Sequence, residues 1–137
     1  MPCQYLFSLE VIKSLRKKGF KIIFITSREN KYWQGKAKFY LKKWLKKHDI
    51  QFDEIYGNIS NKSEFCVENN IDYLIEDNFE YVKSANKKGI KSILIKTTYN
   101  QNYKHKLNTF AENWLDVYSI LANEFNFDKN DIISFNK

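Results

Sequence analysis

Residues 71–78, with the sequence IDYLIEDN, form an apolar run that ends in two adjacent acids and leads into a helix-like segment. A strand that ends in this way places its acids at the carboxyl edge of a sheet, where open α/β folds bind ligands. Two neighbouring carboxylates repel each other unless a cation or a proton lies between them. Because hard cations take oxygen ligands, Glu76 and Asp77 are candidate ligands of Mg²⁺, and a solvated strand end is the alternative.

Two further segments carry polar groups at the ends of predicted elements. Residues 21–28, KIIFITSR, form a second apolar run that ends in the hydroxyl groups of Thr26 and Ser27 and the guanidinium of Arg28. Lys62 lies at the predicted start of another helix. Such side chains can converge on one phosphate and its metal ion. A hydroxyl group then donates a hydrogen bond to a phosphate oxygen, an ammonium group offsets negative charge, and a carboxylate holds the cation. The alternatives are a helix cap at Thr26 and Ser27 and a surface lysine at Lys62.

Apolar runs alternate with segments of helical periodicity along the chain. This alternation is typical of an α/β protein with a Rossmann-like, doubly wound, mainly parallel sheet in three layers. No linker or internal repeat interrupts it, so a single domain over residues 1–137 is expected. The predicted strands are 21–26, 52–56, 73–75 and 91–95, with an edge strand at 132–135 as an open alternative; the predicted helices are a first one ending before Gly19, then 33–48, 61–69, 79–88 and 114–125.

Composition excludes several classes of protein. The 137 residues are 43% apolar, enough for a core, and contain only the two cysteines Cys3 and Cys66. Neither a disulfide framework nor a zinc cluster is therefore expected, and His48 and His105 are isolated. No run approaches the roughly 18 apolar residues of a membrane span, and the start lacks the pattern of a signal peptide. We expect a cytoplasmic protein without a membrane partner.

Positive charge is concentrated in the first third of the chain. Residues 1–50 contain 13 Lys and Arg against 3 Asp and Glu, a net of +10, whereas the whole chain carries +7. Much of this charge lies on one face of the amphipathic helix predicted at 33–48, between Lys36 and Lys47. A docked helix with a solvated lysine face is the simpler interpretation. A surface for nucleic acid or anionic lipid is the alternative, supported by Phe39 among the lysines.

The order of these segments resembles the haloacid dehalogenase superfamily, whose members are mostly Mg²⁺-dependent phosphohydrolases. Residues 23–26 (IFIT) look like its second motif, Lys62 like the lysine of its third, and Glu76-Asp77 like the acidic pair of its fourth. The resemblance implies that Thr26 binds phosphate, that Lys62 neutralises charge and that Asp77, with Glu76 beside it, holds Mg²⁺. Ser27, Arg28 and Asn78 are then expected at the rim of the site.

Short loop matches are more particularly similar to the 5′(3′)-deoxyribonucleotidase branch of that superfamily. The matches are residues 26–28 (TSR), 75–78 (IEDN), Tyr99-Asn100 and Asn113-Trp114. This similarity implies a 5′-nucleotidase-like hydrolase that dephosphorylates deoxyribonucleoside monophosphates. By themselves, Tyr99 and Trp114 are interpreted as packing residues.

One large departure from the family concerns its first motif, an Asp-x-Asp that closes a central strand and supplies the nucleophile and the general acid/base. No Asp precedes Asp49 in this chain, and the family's cap segment is missing as well. We expect little or no phosphatase activity from this polypeptide alone. The chain is a fragment, or its two neighbouring strands close up, or another segment (4–9 or 132–135) or a second chain of a homo-oligomer fills the gap.

Two other functions are left open by the residues. A non-catalytic module derived from this fold would bind an anion, a nucleic acid or a protein, and the basic first third favours it. A phosphoacceptor domain of the receiver type would need more acids around Asp77 than Glu76 alone supplies.

Overall fold

The protein has an α/β fold in the computed structural model, which describes residues 7–26, 37–57 and 59–132. Within these residues there are five helices and five strands, which alternate except that β5 follows β4 directly, and the strands form two small parallel sheets. The helices are α1 (Ser8–Lys17), α2 (Ala37–Lys47), α3 (Lys62–Glu68), α4 (Phe79–Lys87) and α5 (Trp114–Phe125). The strands are β1 (Ile23–Ile25), β2 (Glu54–Tyr56), β3 (Tyr73–Glu76), β4 (Lys91–Ile95) and β5 (Asn108–Ala111).

Two compact units divide the chain, one containing Leu9–Ser60 and the other Asn61–Asn130. In the first unit, β1 pairs in parallel with β2, with Phe24 opposite Ile55. Asp53 fixes the start of this pairing, because its carboxylate accepts the amide of Ile22 at 2.7 Å and its own amide donates to the Ile22 carbonyl at 2.9 Å. Within the described residues, β2 is the only strand that pairs with β1.

The second unit is built on the parallel sheet β3-β4-β5, with β4 in the centre. Residues 92–95 of β4 are at most 2% exposed, as is usual for the central strand of a parallel sheet. Helix α4 packs against β3 and β4, α3 packs against α4, and α5 packs against β5. Within the described residues, β3 is an edge strand that pairs only with β4.

Asparagine side chains begin the last three helices. Asn61, Asn78 and Asn113 are the N-caps of α3, α4 and α5, and each side chain accepts a backbone amide of the first turn. Each of these helices also carries an acid in its first turn, which the helix dipole favours. Glycine follows the end of two helices, at Gly19 after α1 and at Gly89 after α4, and both have positive φ.

Most predicted elements are found, with shorter bounds in several cases. The strand predicted at 52–56 is limited to Glu54–Tyr56, and the helix predicted at 33–48 is described from Ala37 to Lys47. Segments 1–6, 27–36 and 133–137, with Asn58, lie outside the described residues, so the proposed fillers of the sheet (4–9 and 132–135) stay largely untested. A single doubly wound sheet and a single domain over 1–137 also stay predictions.

Strand β5 has no counterpart among the sequence predictions. Its sequence, NTFA, is short and half polar, so neither strand periodicity nor an apolar run marks it. It forms because β4 offers a second parallel edge, with Ser92 opposite Asn108 and Leu94 opposite Phe110.

The interpretation of Tyr99 as a packing residue was wrong: it lies in a turn and is 90% exposed.

A buried network of polar side chains connects α4, β4 and β5. The Asn86 amide nitrogen donates to the Ile90 carbonyl at 2.9 Å and to Ser92 Oγ at 3.0 Å. Ser92 Oγ donates to Asn108 Oδ1 at 2.7 Å, and the Tyr103 hydroxyl donates to Asn86 Oδ1 at 2.7 Å. Because these groups satisfy one another, a 3% exposed Asn86 and a fully buried Ser92 are compatible with the core.

Among the residues described, no helix combines the length and the apolar character that crossing a membrane requires.

Candidate functional site

A buried ion pair lies at the carboxyl end of β3. Lys62 is the first residue of α3 and Glu76 is the last residue of β3, and the Lys62 ammonium lies 2.7 Å from Glu76 Oε2. The two side chains are 9% and 13% exposed, respectively. Charges this deep are tolerated only when they are paired and hydrogen-bonded. The fold therefore brings together two predicted site residues that are 14 positions apart in sequence.

The second oxygen of Glu76 is occupied as well. Glu76 Oε1 accepts the backbone amides of Asp77 at 3.2 Å and Asn78 at 3.4 Å. The Lys62 ammonium also lies 4.4 Å from the centroid of the Tyr81 ring, within the range of a cation–π contact. Glu76 thus anchors both the lysine and the turn that carries Asp77, and its oxygens are already engaged by protein donors.

Asn100 holds the backbone of the Asp77 turn from the neighbouring loop. Its side-chain nitrogen donates to the carbonyl of Asp77 at 2.8 Å and to the carbonyl of Ile95 at 2.9 Å. Its side-chain oxygen accepts the amide of Thr97 at 2.8 Å, and the residue is 3% exposed. One amide group therefore ties together the chain segments that leave β3 and β4, where the candidate site lies.

Replacement of this amide gives a testable consequence. We expect Asn100→Ala to lower the free energy of unfolding by about 2–4 kcal/mol, because three hydrogen bonds to backbone groups are lost and each contributes roughly 0.5–1.5 kcal/mol net. Urea unfolding followed by circular dichroism measures the change. Asn102→Ala is the matched control, since Asn102 is exposed in the same loop and should change stability by less than about 0.5 kcal/mol. Equal effects of the two substitutions would contradict the anchoring role of Asn100.

Cys66 lies on α3, one turn after Lys62, and is fully buried. Burial raises the pKa of its thiol, while the positive charge of Lys62 opposes this by a smaller amount. The net increase keeps the sulfur protonated at neutral pH, so Cys66 is a core residue and is unsuited to act as a nucleophile.

Among the residues that the structure describes, the acidic pair does not belong to a larger cluster of metal ligands. In the described ranges, no group of three or more His, Cys, Asp or Glu side chains is arranged to hold a metal ion. Mg²⁺ often takes only one or two protein carboxylates and completes its shell with water and substrate phosphate. The donor set at the end of β3 fits such a shared site and not a cage made of protein alone.

The other predicted site residues have different positions. Asn78 caps α4 through its side chain, which accepts the amide of Glu80 at 2.9 Å. Thr26 belongs to the first unit and directly follows β1; its amide donates to the Tyr56 carbonyl and its carbonyl accepts the amide of Ile59, both at 3.0 Å. The convergence of Thr26 with Lys62 and Asp77 stays a prediction. Ser27 and Arg28 lie outside the described residues.

Residue patterns alone did not identify Tyr81 and Asn100 as residues of the site. Tyr81 carries no signal beyond helical spacing, and Asn100 was noted only through the family resemblance. An asparagine in a polar loop after a strand is a weak indication of a functional site, because most such residues are solvated.

Comparisons with protein-family models, with curated proteins and with solved structures find no significant match to this chain.

Proposed function

We propose that residues 61–130 form the Mg²⁺- and phosphate-binding half of a phosphomonoesterase of the haloacid dehalogenase type, with deoxyribonucleoside monophosphates as its substrate class. The observation that carries the proposal is the buried Lys62–Glu76 ion pair, which lies at the carboxyl end of a parallel strand directly beside Asp77. This combination offers both an ammonium for phosphoryl oxygens and a carboxylate for the accompanying cation.

Each residue has a distinct role in this proposal. Asp77 binds Mg²⁺, and Lys62 offsets the negative charge of the phosphoryl group. Glu76 positions Lys62 and the Asp77 turn, since its own oxygens accept three protein donors. The Thr26 hydroxyl donates to a phosphate oxygen, and the rim of the site consists of the residues Ser27, Arg28 and Asn78.

The unpaired edges of β1 and β3 favour the proposal that the complete enzyme has a further strand, which carries the nucleophile. Among the described residues, β1 pairs only with β2 and β3 pairs only with β4, so each strand keeps one unpaired edge. In the proposed doubly wound sheet, a further strand lies between β1 and β3 and carries the nucleophilic aspartate of the family. The nucleophilic aspartate would come from residues outside this sequence, because no Asp precedes Asp49 and the 137 residues contain no Asp-x-Asp.

Metal binding tests the role of Asp77. We expect Mn²⁺, used as a paramagnetic substitute for Mg²⁺, to bind in the presence of inorganic phosphate with a dissociation constant on the order of millimolar. Asp77→Asn should weaken binding at least about fivefold, corresponding to roughly 1 kcal/mol. Asp72→Asn is the matched control, since Asp72 is an exposed acid just before β3. Electron paramagnetic resonance of free Mn²⁺ measures the titration; equal affinities for the two variants would contradict a metal site at Asp77.

Turnover tests the missing nucleophile separately. The purified chain should release little or no phosphate from deoxyribonucleoside monophosphates with Mg²⁺ above the rate without protein, because its sequence lacks the Asp-x-Asp that supplies the nucleophile in the proposed family. A phosphate-release assay checks this result. Mg²⁺-dependent turnover that Asp77→Asn abolishes would show that this chain holds its own nucleophile.

A further inference from the structure

Helix α2 exposes lysines and aromatic rings on the same surface. Four exposed lysines and no acid lie within Ala37–Lys47: they are Lys42, Lys43, Lys46 and Lys47. Three aromatic side chains are unusually accessible for their size, with exposures of 58% for Phe39, 44% for Tyr40 and 41% for Trp44. We use the name α2 face for these seven residues.

The rings and the charges alternate around the helix. At about 100° per residue, Phe39 falls between Lys43 and Lys46, and Lys47 falls beside Tyr40. The α2 face spans about 200° of the helix surface. Leu45 points away from it and is fully buried, which attaches the helix to its unit. The aromatic rings are therefore not part of the buried stripe.

Among the described residues, no acid compensates the charge of the α2 face. In the part of the chain that the structure describes, none of its four lysines forms an ion pair, whereas Lys21, Lys91 and Lys96 each pair with a glutamate. Unpaired positive charge of this density attracts a polyanion, and release of counterions from the polyanion favours binding.

The exposed rings are held by aromatic neighbours. The Phe39 ring makes an edge contact with the Tyr40 ring at a centroid distance of 5.4 Å. The Trp44 ring lies 4.6 Å from the ring of His48. Supported in this way, Phe39 and Trp44 lose little conformational freedom when a further ring stacks on them.

We propose that the α2 face binds single-stranded nucleic acid, with its lysines on the phosphates and with bases stacked on Phe39 and Trp44. Lysines interleaved with exposed rings match the needs of a strand whose bases are unpaired. Base edges of a duplex are read by Arg, Asn and Gln as well as by Lys, and Ala37–Lys47 contains none of the first three. A membrane-surface helix separates its apolar and basic faces, whereas Phe39 lies among lysines.

Fluorescence anisotropy with a labelled oligothymidylate of about 16 nucleotides tests the proposal. Four phosphate contacts predict a slope of about −3 for the logarithm of the association constant against that of the salt concentration. The variant K42E/K43E/K46E/K47E should lose at least about tenfold in affinity and most of this slope. The control K83E/K104E/K106E/K129E makes the same change in net charge at exposed lysines elsewhere and should lose less than about threefold.

Aromatic substitutions separate stacking from charge. Phe39→Ala and Trp44→Ala should each weaken binding roughly tenfold without altering the salt slope, because they remove stacking and leave the lysines. Tyr99→Ala removes an aromatic ring that is 90% exposed outside α2, and it should leave the affinity unchanged. Circular dichroism of all variants verifies that helix content is retained, as expected for substitutions of exposed side chains.

Three results would overturn the proposal. One is equal loss of affinity in the two lysine variants, since binding would then reflect net charge alone. Another is tighter binding to a duplex of the same length, with no effect of Phe39→Ala. The last is binding to vesicles of anionic phospholipid with no measurable binding to the oligonucleotide, which would make the α2 face a lipid surface.

Discussion

Lys62→Met is expected to lower the free energy of unfolding by about 3–5 kcal/mol. The substitution leaves the Glu76 carboxylate, 13% exposed, with the backbone amides of Asp77 and Asn78 and without the ammonium that lies 2.7 Å away. A buried charge that loses its counter-charge costs far more than an exposed one. Since whole domains are stable by only about 5–15 kcal/mol, the loss is large, and equilibrium urea unfolding measures it.

Two further variants make this expectation specific. The double variant Lys62→Met with Glu76→Leu should recover most of the lost stability, because apolar residues of similar volume often replace a buried ion pair without net cost. Lys96→Met breaks the Lys96–Glu112 pair, whose side chains are 37% and 66% exposed, and should cost less than about 1 kcal/mol. If Lys62→Met costs no more than Lys96→Met, the Lys62–Glu76 pair is solvated and its assigned role is wrong.

Leu94→Ala is expected to have the second-largest effect, a loss of about 2–5 kcal/mol. Leu94 is fully buried in β4, opposite Glu76 on one neighbouring strand and Phe110 on the other. Removal of its side chain takes apolar surface out of the core and leaves a cavity that the packed α4 and β5 can only partly close. Thermal or urea unfolding gives the size of the loss.

Leu115→Ala is the matched control for this core substitution. Leu115 is 36% exposed in the first turn of α5, so the same change of side chain should cost less than half as much. The contrast distinguishes core packing from the general effect of a Leu-to-Ala change on helix or strand. Equal losses at the two positions would mean that β4 is not the centre of the packed sheet.

Much of the secondary structure could be predicted because its causes are local. The run 91–95 ends in three apolar residues, of which Ile93 and Ile95 are β-branched, and the strand found there has the predicted bounds Lys91–Ile95. The helix predicted at 79–88 is found at Phe79–Lys87, between an asparagine cap and Gly89. Periodicity, caps and stop signals lie within a few residues of the element they define.

The α2 segment shows where local periodicity gives an incomplete answer. Its pattern predicts that Tyr40, Trp44 and Leu45 share a buried face, but only Leu45 is buried. Helical spacing gives the angle at which a side chain projects, and it does not give the width of the surface that covers the helix. The rings of the α2 face are exposed because the surface that covers the helix is too narrow to reach them.

The sequence by itself determined the alternation of helices and parallel strands, and it placed an acidic pair where β3 ends. Only the tertiary structure decided that Glu76 pairs with Lys62, that Asn100 secures the Asp77 turn, and that the NTFA segment becomes β5. The physical reason is the distance along the chain over which each kind of interaction acts. Strand and helix signals act between near neighbours in the chain, whereas counter-charges, buried amides and edge pairing depend on groups that meet only after folding.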